Sequence, residues 1–163
     1  MKARFVTKAA LSALALAFAG TLPGVAQQTA APAVDSVKAS AVEKVFIVKM
    51  ADIVQAGLKA GALDVKAVSG VLNEAVKADV SDRVMGAMVS MAAGAFPSSA
   101  PAVASAAVRS YGSNIREGHV RNVIASAVSS QSNPYASVAP ISEAVEKVLG
   151  NSPVAAAVSS IAV

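Results

Sequence analysis

The chain holds one histidine, His119, and no cysteine. Those two counts decide most of the chemistry open to it. A metal site built from His and Cys needs several such ligands at fixed spacing, so no metal centre and no other cofactor is expected. Glu117, two residues from His119, points to another side of a helix. A Ser–His–acid arrangement would have to recruit distant partners, and none of the serines stands in a G-x-S-x-G context. A small hydrolase using His119 is therefore kept only as an alternative. The expectation is a protein that is not an enzyme, and no catalytic residue is assigned.

Two other groupings carry side chains suited to binding. The stretch 109–122 (RSYGSNIREGHVRN) contains three of the four arginines of the chain beyond its first 26 residues. Within it, Ser113 and Asn114 fall at a predicted helix start, where free N–H groups favour an anion. Arg109 and Arg116 lie close by, so a carboxylate, a phosphate or an acidic partner is the contact expected at Arg109, Ser113, Asn114 and Arg116. The second grouping is Met85, Met88 and Met91. Their spacing serves a core helix, and a methionine run also makes an adaptable hydrophobic contact surface. Elsewhere there is no glycine-rich phosphate loop and no calcium loop. Asp79 and Asp82 straddle Ser81 and are accounted for as companions of a helix cap.

The elements that position these residues read as helices. Asp35 to Ala60 carries an apolar stripe at Val42, Phe46, Met50, Ile53 and Val54, with Asp35 or Ser36 as cap and Gly61 as the C′ residue. Leu63 to Ala78 follows, capped by Asp64, and then Val80 to Phe96, capped by Ser81 and ended by Pro97. Ser99 to Tyr111 begins with Pro101 in its first turn. Asn114 to Ser129 opens on an Asn114–Glu117 pair that resembles a capping box, and Glu117 and Arg121 form an i,i+4 pair. Asn133-Pro134 opens a sixth segment that Pro140 resets, leaving Ile141 to Leu149 as its firm helix; Gly150 closes it. Ser152-Pro153 starts a last short helix running to Val163. No stretch alternates with a period of two. The expected fold is all-α, a single domain of five to seven short helices, arranged as a bundle or a short array of antiparallel helical hairpins.

Residues 1–26 stand apart. Lys2, Arg4 and Lys8 precede the apolar run 9–20, and Gly24-Val25-Ala26 places small residues before Gln27. This is the pattern of a secretory signal peptide cleaved after Ala26, too short and wrongly flanked to span a bilayer. Residues 27–34 then read as a flexible lead and 35–163 as the helical domain. The expected location is outside the cytoplasm, periplasmic or extracellular in a bacterium. All 10 acidic residues but only eleven of the 14 Lys and Arg lie after Ala26, so the mature net charge falls from +4 to +1. That leaves almost no positive excess to neutralise phosphates, and nucleic acid is excluded as a partner.

Charge is also uneven along the chain. Residues 35–83 carry seven bases and seven acids, while 84–163 carry seven charges in all. The charge-poor half is thus either buried or exposes an apolar patch, and such patches mark interaction sites. The expected function is an exported interaction or structural module that works through apolar helix faces, by self-association or with a protein partner. An amphipathic lipid-surface protein is the less favoured reading, because the second half lacks flanking Lys and Arg.

Overall fold

The structure, a computed structural model, describes residues 40–155 and Val158. Among the described residues it is all-α and contains no strand. Six helices follow one another: α1 (Ala41–Ala60), α2 (Val65–Lys77), α3 (Asp82–Ala95), α4 (Ala100–Ser110), α5 (Glu117–Ser129) and α6 (Pro134–Leu149). Short 3₁₀ turns at Pro97–Ser99, Gly112–Asn114 and Pro153–Ala155 punctuate them. Each helix packs most heavily on the second one along: α1 on α3, α2 on α4, α3 on α5, α4 on α6. The helices therefore form two layers, α1-α3-α5 and α2-α4-α6, joined by contacts between successive helices. This is a short stack of helical hairpins.

Small side chains make the stacking close. The faces of α3 and α4 buried in the core include Ala92, Ala93, Ala100, Ala104, Ala106 and Ala107. A buried methyl contributes only about 0.8 kcal/mol, so these helices gain by approaching until backbone meets backbone. Hydrogen bonds between side chains and neighbouring carbonyls record the approach. Ser90 Oγ donates to the Ser126 carbonyl at 2.9 Å. Asn122 Nδ2 donates to the Asp82 carbonyl at 2.6 Å, and Ser105 Oγ to the Ala144 carbonyl at 2.9 Å. At Gly86 the approach leaves no room for a side chain: a Cβ there would lie 2.7 Å from Ser126 Oγ and 3.0 Å from the Asn122 amide.

Helix ends agree with the sequence in some places and depart from it in others. Asp64 caps α2 by accepting from the Ala67 amide at 3.0 Å, and Gly61 ends α1 at φ 76°. The start of α1 is different from the expectation. Its N-cap is Ser40, with a reciprocal capping box: the Ser40 amide donates to Glu43 Oε2 at 2.8 Å and the Glu43 amide to Ser40 Oγ at 3.2 Å. Asp35 and Ser36, the expected caps, lie outside the described residues. Ser81 does stand at the N-cap of α3, yet its side chain makes no bond to its own helix. It donates instead to Glu43 Oε1 at 2.5 Å, and the Ser81 amide donates to the same oxygen at 3.1 Å. One carboxylate thus finishes the N-termini of two helices.

Two further boundaries are corrected. The fifth helix starts at Glu117 with Arg116 as N-cap, because Ser113 and Asn114 belong to the preceding 3₁₀ turn and the Asn114 amide is spent on the Tyr111 carbonyl at 3.0 Å. The Asn114–Glu117 capping box does not form. Pro140 lies inside an unbroken α6. Proline removes the amide that would reach the Ala136 carbonyl, and both residues are exposed, so water can serve that carbonyl. Beyond the turn at Pro153–Ala155 the last expected helix falls outside the described residues, apart from the buried, helical Val158.

The charge-poor half turns inward. Met85, Met88, Ile124 and Ile141, on α3, α5 and α6, are fully buried, whereas Tyr135 at the start of α6 is 93% exposed. The exposed aliphatics gather at the charged end: Val42, Val45 and Val48 on α1 are 53%, 51% and 58% exposed.

Two predictions follow from this packing. Gly86→Ala should lower stability by about 1–2 kcal/mol. Overlap with Ser126 and loss of the Asn122–Asp82 bond outweigh the gain of about 1 kcal/mol in helix propensity. Gly70→Ala, where a Cβ meets nothing within 4 Å, should raise stability by up to about 1 kcal/mol. Thermal or urea melts of the two variants check the contrast. The second prediction concerns acid. Hydrogen bonds from the Ser81 hydroxyl, then from the Ser40 and Ser81 amides, hold the Glu43 carboxyl down at about 2 from an ordinary 4.5. Its stabilising contribution is full above about pH 4.5 and is lost as pH falls through about 2. Glu43→Gln should be less stable at neutral pH and should show a flatter decline of melting temperature over that acid range.

Candidate functional site

The residues with the richest chemistry meet where the ends of α2 and α4 face the starts of α3 and α5. Tyr111, the last residue before the 3₁₀ turn that leaves α4, stacks flat on His119, with ring centroids 4.1 Å apart and planes 11° from parallel. Tyr111 Oη donates to Asp82 Oδ1 at 3.3 Å, and His119 Nε2 lies 3.6 Å from the same oxygen. Burial, reinforced by the Asp82 carboxylate, pushes the Tyr111 hydroxyl well above its ordinary value, so it remains a donor. On the other edge of the imidazole, Nδ1 accepts the Arg116 amide at 3.2 Å. An Nδ1 that accepts carries no proton, which puts the ring proton on Nε2, facing Asp82. Both nitrogens of His119 are engaged, and neither is engaged by a serine.

This cluster forms one wall of a cleft of about 420 Å³. Asp79 and Asp82 supply carboxylates from the turn between α2 and α3. Asn114 and Arg116 face the cleft from the segment before α5, and Val76 and Val80 provide its apolar lining. Asp79 adopts φ 55°, the only non-glycine residue with positive φ among those described. It is the C′ residue of α2: its amide donates to the Val76 carbonyl at 3.1 Å and the Val80 amide to the Ala75 carbonyl at 3.1 Å, the paired bonds of a Schellman ending. Glycine is the usual occupant of such a position.

The four residues expected to hold an anion are divided by this geometry. Asn114 and Arg116 face the cleft, whereas Arg109 and Ser113 line a separate hollow of about 360 Å³ against Val148, Leu149 and Ser152. Arg109 also borders a groove with Lys66, Ser69 and Ser105. Neither Ser113 nor Asn114 offers a helix N-terminus, since α5 begins three residues after Asn114. Met85 and Met88 are fully buried and Met91 is packed against the core. Their spacing serves the interior of α3.

In the sequence Tyr111 carries no signal, and Asp82 reads only as a companion of the Ser81 cap. The cluster joins Asp82 to residues 29 and 37 positions further on, Tyr111 and His119, and no local pattern announces it. The one available signal was a pair of acids at Asp79 and Asp82 in a turn whose serine is not needed to cap its own helix.

Among the described residues no group of three or more His, Cys, Asp or Glu could hold a metal ion, and no helix is long and apolar enough to cross a membrane. No family model matches the chain, and neither a curated protein nor a solved structure matches it.

Proposed function

We infer that this protein is an exported, non-enzymatic structural module that self-associates through the outer face of α1. The observation that carries this reading is the aliphatic strip on that face. Ala41, Val45 and Val48 follow one another at steps of four and three residues, with Val42 beside them, and all are exposed. The same line continues through Asp52, Gln55 and Lys59, which are exposed and polar. Steps of three and four along one face are those of a helix made to lie against another helix.

A second copy of the chain is the occupant that the charges favour. Parallel pairing of two α1 helices would set Asp52 against Asp52 and Lys59 against Lys59. Antiparallel pairing sets Val45 against Val48 of the second copy, twice, and brings each Asp52 over Ala41 of the other copy, within reach of Lys44. The strip is short, so the expected dissociation constant is on the order of 100 µM. The non-catalytic side of the reading is supported by His119, whose Nδ1 is taken by the Arg116 backbone amide and whose ring lies flat on Tyr111. Export is supported by the basic start, apolar run and small-residue site of residues 1–26.

Sedimentation equilibrium between about 5 and 500 µM should show a growing dimer fraction. The Val45→Asp/Val48→Asp variant, altered only at exposed positions, should stay monomeric with an unchanged helical spectrum. A wild-type chain that is monomeric throughout that range overturns the self-association reading. Mass spectrometry of the protein recovered from the exported fraction of an expressing bacterium should find Gln27 as its first residue; a protein retained in the cytoplasm with residues 1–26 intact overturns the export reading.

A further inference from the structure

We propose that the cleft between the α2–α3 turn and the start of α5 is a binding site for a small zwitterion, an α-amino acid with a short aliphatic side chain. The cleft has the size of a small-ligand site, and its lining carries both signs of charge. Asp79 and Asp82 are matched to an ammonium group. Arg116 and Asn114 are matched to a carboxylate: the guanidinium offers a planar fork and the amide a further donor. Val76 and Val80 are its aliphatic members, which suits a short branched aliphatic side chain.

The polar groups are available. Among the described residues, the side chains of Asp79, Asn114 and Arg116 have no hydrogen-bond or ion-pair partner, and both contacts of Asp82 fall on its Oδ1. The Tyr111 hydroxyl holds Asp82, and the Arg116 amide bond to His119 fixes the Arg116 backbone. As the C′ residue that ends α2, Asp79 sits at φ 55°, where a glycine is less strained.

The test uses the full chain and three probes: L-valine, isovalerate, which is valine without its amine, and isobutylamine, which is valine without its carboxylate. In ¹H–¹⁵N spectra, L-valine is expected to shift the amides of Asp79, Asp82, Tyr111, Asn114 and Arg116 saturably. Each half-ligand should bind at least about tenfold more weakly, since each forfeits one charge-assisted contact. Asp79→Asn, which keeps a residue tolerant of positive φ, and Arg116→Gln should each weaken L-valine by about tenfold or more. Asp79→Gly should raise the melting temperature while losing the ligand, which separates a binding role from a structural one. The proposal is overturned by absence of saturable shifts up to about 50 mM L-valine. It is equally overturned if isovalerate or isobutylamine binds as tightly as L-valine, or if Asp79→Asn and Arg116→Gln bind it unchanged.

Discussion

A helix faced with alanine gains little from burial unless its neighbour comes near enough to touch its backbone. That requirement governs this molecule. Dispersion falls steeply with separation, so small side chains are useful only at close range, and close range brings carbonyls and short polar side chains into contact. Ser90, Ser105 and Asn122 each donate across a helix interface to a backbone carbonyl. Gly86 permits the approach of α3 to α5. The two-layer stack follows, because a helix in the middle of it can meet neighbours on several sides while α1, first among the described helices, keeps exposed valines on its outer face.

Close packing of interiors leaves the helix ends to be finished separately, and there the fold relies on individual groups. Glu43 is the clearest case. It closes the capping box of α1 and accepts both donors of Ser81 at the start of α3. The α1–α3 contact is therefore held at its edge by a single carboxylate. Asp79 finishes α2 in a conformation better suited to glycine, and Tyr111 finishes α4 by stacking on His119. The candidate cleft is made of such endings, which is why its chemistry lies at turns while the helices supply its frame.

That division explains what could be read from the residues alone. Helix existence was legible because proline, glycine and capping residues punctuate periodic apolar runs: Asp64, Gly61 and Pro97 act where the pattern placed them. The all-α class and the hairpin array followed. The box at Ser40–Glu43 is present as S-x-x-E but lies inside a segment whose caps Asp35 and Ser36 offered an earlier start, and Pro140 resembles a break until its exposed position shows that water can serve the freed carbonyl. The site was legible only in part. Asn114 and Arg116 were singled out for an anion and do line a cleft, but Asp79, Asp82 and Tyr111 reach it through pairings set by tertiary contacts. No spacing in the sequence encodes a tyrosine stacked on a histidine eight residues later across a 3₁₀ turn. Scarcity of charge left burial or an exposed patch open for the second half; much of its apolar side-chain mass is buried, and the exposed valines lie on α1.

The arrangement by nearest and next-nearest helices has a kinetic meaning. The side-chain hydrogen bonds that join different helices close loops of 25 to 40 residues, and each layer is built by adding a helix to those just formed. Low sequence separation of contacts speeds folding, so the chain can assemble progressively from either end of the stack. With no cysteine in the sequence, the described helices have no disulfide to wait for.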